Sequence, residues 1–322
     1  MNPLSAPFGA GVSLRNWLYD RGSLPSRRLQ APVISIGSIS SGGAGKTPFL
    51  IMLGELLKQR GVAFNVLSRG YGRRTRGVAV VDPAGSSRES GDEPLLIARK
   101  VGVPVIVGED RYQAGQLAEE KFGPQAHLLD DGFQHRRLAR DFDIVLITQR
   151  DLQDSLLPVG RLREPLSAVS RASAIVLMDG VAADGVPVRE GQAVWHVSRG
   201  IDSLETSDTC VAFCGIARPH NFLDALSNTQ IRIVGTRIFR DHHAYSAADV
   251  ESLFRQAQES GATAFITTEK DAVNLGDNVT RLRPLHVVEV RMQLETGAPD
   301  AESPVERVCA VIERRNEIHV RK

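Results

Sequence analysis

Cysteine is scarce in this chain: three in 322 residues, at 210, 214 and 309. So few make no disulfide framework and point to a reducing compartment. No second pair of Cys or His stands at a matching distance from Cys210 and Cys214, so both are expected in a core and not around zinc. Nowhere do about 18 apolar residues run together, the length a bilayer-crossing helix needs. A basic leader ahead of an apolar core is missing, so no secretory signal is expected. Charge of one sign is missing too. Its 39 basic and 38 acidic side chains leave a net charge of +1. A nucleic-acid partner, which usually demands a strongly basic face, is therefore not expected. No repeat and no low-complexity tract stands out. The rest is ordinary soluble composition, and at roughly 150 residues per domain the length suggests two domains.

What the chain has is a glycine-rich loop. An apolar run at 32–37 leads into Ser40, Ser41, Gly42, Gly43, Ala44, Gly45, Lys46 and Thr47, followed by Pro48. Strand, loop, Lys-Thr and helix start together make a phosphate-binding loop. Its glycines let backbone N–H groups turn inward around a polyphosphate. The next helix adds its positive N-terminal end. Lys46 can reach the β- and γ-phosphates, and the Thr47 hydroxyl can bind Mg²⁺. Ser40 stands where the general pattern has its first glycine. An ordinary glycine-rich turn would explain the bend but not Lys and Thr directly after Gly45.

Apolar residues at helical spacing over 49–60 predict a helix, closed by Gly61. Short apolar strands are predicted at 62–67, 78–81, 103–107, 126–129, 143–148 and 174–178, with helices at 94–100 and 112–121. Strands alternating with helices mean an α/β, doubly wound and mostly parallel sheet that carries the P-loop. Such sheets hold ligands at the carboxyl ends of their strands. A second, smaller α/β unit is predicted from residue 209, with strands at 211–213, 232–238, 264–267 and 285–290. Helices are predicted at 221–226, 247–260 and 305–314. The expected division is 1–30 as an N-terminal segment, 31–190 as the nucleotide domain, 191–208 as linker strands and 209–322 as the smaller domain.

Several clusters carry chemistry beside a plainer reading. Asp130-Asp131 ends a buried strand downstream of the loop and suits a Walker B carboxylate for Mg²⁺; a solvated turn is the alternative. His135 faces the nucleotide or sits as a satisfied structural histidine. Asp92-Glu93 precedes a helix as a capping pair or as a general base for an attacking hydroxyl. Arg69, Arg73, Arg74 and Arg76 lie in a glycine-bearing loop and form either a phosphate-recognising set or a solvated basic loop. Residues 156–171 embed Arg163, Glu164 and Arg171 among prolines and leucines, as an active-site edge or an isolated salt bridge. Asp241-His242-His243 could assist a base or precede a helix capped at Ser246. Residues 3–30 mix Leu4, Phe8, Leu14, Trp17 and Tyr19 with four arginines. That composition fits an interfacial membrane helix or a helix packed on the domain.

Taken together, these motifs resemble the tetraacyldisaccharide 4'-kinase family of lipid A biosynthesis. The likeness runs from Gly42–Pro48 through Ser68–Arg73, Gly91–Pro94, Asp130–His135 and Leu162–Leu166 to Gly215–Ala217, Asp241–His243 and Thr268–Asp271. Ser38, Ala44 and Arg161 depart from that family's usual residues. The resemblance implies transfer of the ATP γ-phosphate to the 4'-hydroxyl of an acylated glucosamine disaccharide 1-phosphate, forming lipid IVA. It implies two α/β domains with the active site between them. It makes Asp92 the base or its partner, supported by His242, with Lys46 on the migrating phosphoryl. It gives Mg²⁺ to Thr47, Asp131 and Glu164, and substrate phosphate to Arg69, Arg73, Arg111 and Arg171. It places the protein peripherally on the cytoplasmic face of the inner membrane. A P-loop ATPase switch acting on a protein partner is the alternative, but it leaves Asp92 and His242 idle. An Asp-His-His phosphoesterase is a third reading.

Overall fold

The computed structural model describes residues 4–202, 204, 206–295 and 303–320. α1 (Ala6–Asp20) precedes β1 (Val33–Ser38), the glycine loop and α2 (Lys46–Gln59). β2 (Phe64–Ser68), β3 (Ala79–Val80), the single turn α3 (Ser87–Ser90), α4 (Asp92–Val101), β4 (Val105–Val107) and α5 (Arg111–Phe122) follow. Then come β5 (Ala126–Asp130), β6 (Phe142–Ile147), β7 (Ala174–Met178) and β8 (Ala193–Ile201). A second run holds β9 (Thr209–Cys214), α6 (Pro219–Ser227), β10 (Arg232–Ile238), α7 (Ala247–Ser260), β11 (Ala264–Thr268), α8 (Glu269–Leu275) and β12 (Leu285–Val288). The chain closes with β13 (Val290–Leu294) and α9 (Pro304–Val320).

The first run, joined by β13 from the end of the chain, builds a nine-stranded sheet of order β13-β8-β7-β6-β1-β5-β2-β4-β3. Only the edges β13 and β3 are antiparallel to their neighbours. β1 lies between β5 and β6, and every one of its residues is buried. A strand covered on both faces reads as a continuous apolar run, which is how 32–37 reads. Ile34 and Ile36 pack on one side with Phe49, Leu50 and Leu53 of α2. Val33 packs on the other with Leu29 and Leu129. The second run builds a four-stranded parallel sheet of order β10-β9-β11-β12. Cys210 and Cys214 are buried in β9, within that unit's core.

Two stretches sit elsewhere than the sequence suggests. β8, expected in a linker, is a strand of the large sheet, paired in parallel with β7. Its Trp195 and Val197 are buried in the main core. β13 and α9, expected in the smaller domain, return to the larger one. β13 pairs with β8, and α9 lays Val305, Val308 and Ile312 into the core that contains α2. Apolar spacing marks a face for burial but does not say which sheet receives it.

Candidate active site

The loop after β1 is built for a polyphosphate. Gly42, Gly43 and Gly45 have φ of 67°, 69° and 90°, a left-handed backbone that residues with a Cβ resist. Its outer edge is fixed by the chain at 161–163. The Arg163 N–H donates to Ile39 O at 2.7 Å, and the Ser41 N–H to Arg161 O at 2.9 Å. The Arg163 guanidinium also donates to Ser40 O at 3.0 Å and to the two Asp131 oxygens at 2.8 and 3.2 Å. Arg163 therefore ties the loop to the end of β5.

Asp131 follows β5 with φ 49°, rare for a residue with a side chain and typical of functional sites. Its carboxylate lies 3.4 Å from Lys46 Nζ. Burial works against its charge, but Lys46 and Arg163 hold its pKa below the ordinary aspartate value. Lys46 Nζ also reaches Ser38 Oγ at 3.3 Å. Asp130 is buried behind it and accepts from Ser68 Oγ at 2.8 Å. Burial, then the charges of Glu93 and Asp131, push its carboxyl up to about 7.

Asp92 opens α4 after Gly91, whose φ of 90° brings it within 2.8 Å, measured from an added Cβ, of Tyr71 O. Only glycine fits so close an approach, and it turns Asp92 inward. There Asp92 meets His242 from the smaller unit: Nδ1 lies 3.0 and 2.8 Å from the two carboxylate oxygens. Asn274 Nδ2 adds a bond at 3.0 Å. Burial alone would raise the Asp92 pKa, but the His242 hydrogen bond and the Lys270 charge bring it down to about 2. Burial opposes the charged ring of His242, yet the Asp92 bond raises its pKa above the ordinary histidine value. His242 itself has φ 56°. Lys270 Nζ completes the cluster, 3.3 Å from Glu93, 3.4 Å from Asp241 and 3.4 Å from His242 Nε2.

The adjacent His243 serves the fold. It pairs with Asp249 at 3.1 Å and stacks on Phe239 with ring centroids 4.7 Å apart. Ser246 and Asp249 cap α7 reciprocally, as the sequence predicts. The two histidines thus face different partners, and no group of three metal-ligating side chains occurs among the described residues.

Two cavities flank the loop. The larger, about 1450 Å³, is lined by Asp92, His242, Asp131, Arg69, Arg111 and Arg163, and reaches Arg15 and Tyr19 of α1. The smaller, about 650 Å³, is lined by residues 42–48 together with Arg218, Asn221 and Phe222 of the smaller unit. Lys46 borders both. One cavity thus presents the phosphate cradle and the other the Asp92–His242 pair, with the lysine between them.

The sequence-predicted arginines divide. Arg69 lines the larger cavity without a side-chain hydrogen bond among the described residues. Arg111 is buried there with Nε unpartnered; burial and then Arg69 lower its proton affinity. Arg73 turns away, its side chain 2% exposed and bonded to Gly77 O and to Glu109 at 3.0 Å. Arg171 is spent on Glu164 at 2.6 and 2.8 Å and lies over the Phe133 ring. Glu164 also accepts from Asn16 at 2.6 Å and Gln134 at 2.9 Å. Burial opposes its charge, but Arg171 leads the partners that keep its carboxyl low. A metal at Glu164 would have to displace them. Its arrangement is that of a buried tie between α1 and the body, not an open ligand. His135 lines the larger cavity with its pKa brought down to about 4, by burial and then by Arg111.

Sequence reasoning passed over Asn274, and it quoted Ser68 and Lys270 within motifs without giving either a role; Arg163 it read as part of an active-site edge. Ser68 ends β2, and Lys270 and Asn274 share the face of α8 just after buried β11. The signal was available: polar residues at the carboxyl end of a buried strand, then one helical turn on.

A family model described as tetraacyldisaccharide-1-P 4'-kinase matches residues 1–310. The tetraacyldisaccharide 4'-kinase of Koribacter versatilis (strain Ellin345) is 49% identical over 325 residues, covering 98% of this chain and 99% of that protein. The one from Aquifex aeolicus (strain VF5) is 37% identical over 290 residues, covering 85% and 88%. A crystal structure described as the apo form of LpxK from Aquifex aeolicus in complex with ATP superposes with a TM-score of 0.76 at 32% identity, covering 97% of each chain.

Proposed function

Since this chain belongs to the tetraacyldisaccharide-1-phosphate 4'-kinase family, we propose a division of labour among its residues for the transfer of the ATP γ-phosphoryl group to the 4'-hydroxyl of the acylated disaccharide. The observation that carries it is the Asp92–His242 pair, closed across the two units at 2.8 Å. It faces the larger cavity, while the phosphate loop lines the smaller one.

ATP lies with its phosphates on residues 40–47 and the disaccharide in the larger cavity. The 4'-oxygen attacks the γ-phosphorus, the bond to the β–γ bridging oxygen breaks, and ADP leaves. Most of the catalysis in such a transfer is positioning and charge stabilisation. Lys46 stabilises the migrating phosphoryl. The 4'-hydroxyl proton passes to the Asp92–His242 dyad, whose two groups titrate as one unit. With Asp92 held near 2, the proton comes to rest on the imidazole. Lys270 and Asn274 keep the pair in register. Arg69 and Arg111 face the substrate's phosphate.

Hard oxygen donors suit magnesium. The Thr47 hydroxyl, on the smaller cavity, and the Asp131 carboxylate, on the larger one and kept ionised by Lys46 and Arg163, are such donors and would hold the ion, Asp131 by exchanging a bond to Arg163 for one to the metal. Magnesium supplies neutralisation of the phosphate charge.

The lipid substrate calls for a membrane surface, and α1 supports one. Leu14 and Trp17 are 58% and 46% exposed on it, with the Arg21 guanidinium 4.2 Å over the Trp17 ring. No helix among the described residues is long and apolar enough to cross a membrane. Attachment by α1 is peripheral, at the cytoplasmic face of the inner membrane. The test of the reaction is direct: purified protein, Mg²⁺, γ-labelled ATP and tetraacyldisaccharide 1-phosphate. Label should appear in the lipid; label released only as inorganic phosphate would contradict the reading.

A further inference from the structure

Arg218 stands in the loop between β9 and α6, at the start of α6. It is 6% exposed. Its side chain lies on the glycine loop of the larger unit, so that a Cβ added to Gly43 would come within 2.6 Å of its Nε. Nε and Nη2 are buried with no hydrogen-bond partner. Nη1 has a single long bond, 3.5 Å to Thr148 Oγ1. A buried guanidinium left this way is expensive unless something else completes it. No carboxylate among the described residues hydrogen-bonds it. Asp151 is near enough for its charge to favour Arg218, but its Oδ2 is engaged by Thr148 and its Oδ1 makes no hydrogen bond. Arg161, Arg199 and Arg150 add opposing positive charge. Arg199 borders the same cavity but is paired with Asp179. Arg218 is thus a buried cation, with no hydrogen-bonded counter-ion, beside the phosphate cradle.

We propose that Arg218 binds the phosphate chain of the nucleotide, as a cationic clamp that the smaller unit lends to the glycine loop of the larger one. The inference rests on the reading of the 650 Å³ cavity as the ATP site. Arginine suits the role because its planar fork matches phosphate oxygens and gains charge-assisted bonds. The loop's own N–H groups and Lys46 are then only part of the site; the other part arrives with the smaller unit.

The test compares the full-length wild type with Arg218→Met and Arg218→Lys, titrated with ATP, ADP and AMP by calorimetry and melted with and without each nucleotide. Arg218→Met is expected to weaken ATP and ADP about ten- to a hundredfold, the worth of a bond to a charged group. AMP should change less than about twofold, since the clamp acts beyond the α-phosphate. Without nucleotide, Arg218→Met should melt at the wild-type temperature or higher, because an unpaired buried charge has gone. Its ATP-induced shift should shrink, as binding to the native state sets that shift. Arg218→Lys should bind ATP more tightly than the Met variant but less tightly than wild type. Three results would overturn the inference: an unchanged ATP affinity, equal losses for all three nucleotides, or a lower melting temperature with the full ATP shift retained. If the Met variant does not fold, the Lys variant decides alone, and wild-type ATP affinity in it overturns the proposal. A wild type that fails to bind ATP would instead refute the nucleotide reading beneath it.

Discussion

Asp92 and Glu164 are both buried carboxylates held low by cationic and hydrogen-bonding partners, yet their surroundings give them different work. Asp92 meets a histidine from the other unit and opens on a large cavity. Glu164 meets Arg171, Asn16 and Gln134 and lines neither of the two cavities. Removing one partner of a buried pair costs about 3–5 kcal/mol. Arg171→Met should therefore lower the denaturant midpoint sharply while leaving the Mg²⁺ dependence of surviving activity unchanged; a shifted Mg²⁺ requirement at unchanged stability would restore Glu164 as a metal ligand. The dyad gives a pH prediction. Asp92, lowered from 3.8 to about 2, adds stability that is present above pH 3.8 and fades as pH falls toward 2. His242, raised above 6.5, adds stability that is full below 6.5 and is lost as pH rises through its folded pKa. The melting-temperature gap between wild type and His242→Gln should accordingly be wider near pH 5 than at pH 9. Turnover should rise with pH through a midpoint above 6.5, as the imidazole becomes free to take the acceptor proton. A gap that widened toward pH 9 would contradict the assigned pairing.

α1 has two faces at the level of the element, one tied to the site and one proposed for the membrane. One side ties to the site, through Asn16 to Glu164 and through Arg15 to Gln134 O at 2.9 Å. The other carries exposed Leu14 and Trp17. Deleting the helix would remove both functions, so point changes separate them. Leu14→Glu with Trp17→Glu should release the protein from anionic vesicles, by tenfold or more given about 1.5–3 kcal/mol for each buried side chain. ATP affinity should stay at the wild-type value; unchanged sedimentation would contradict membrane docking. The sequence showed much of this scale plainly. A glycine loop with Lys-Thr announces its own chemistry, whereas Asp92 and His242 were legible locally only as candidates beside a capping reading, and the family resemblance gave them their roles. The partners of Arg73 and Arg171 were not legible, because an arginine facing a ligand and one facing Glu109 or Glu164 have the same local sequence. Helix α9 shows the same limit. Val305, Val308 and Ile312 mark a buried stripe, but which core it fills is decided by residues far away in the chain.

At the scale of the molecule, the larger domain is not finished until the chain has passed through the smaller one. β13 closes the edge of the large sheet, and Met292 lies beneath Gly45 of the phosphate loop. Truncation after residue 289 should therefore cost several kcal/mol through the loss of Met292, Val305, Val308 and Ile312 from the core. Thermal melts should show the larger domain destabilised and its ATP-induced shift weakened; a truncated protein with the wild-type melt would contradict that view. The same layout places the proposed acceptor dyad on the joint between the units, with Asp92 from one and His242 from the other. The most direct test of the account is Asp92→Ala, measured for label transfer to the lipid and for ATP affinity on the same preparation. Loss of an acid–base group typically costs 10²–10⁴-fold in rate, and the account predicts that fall in turnover with ATP affinity within about threefold of wild type. Turnover near wild type, or a loss confined to ATP binding, would contradict it.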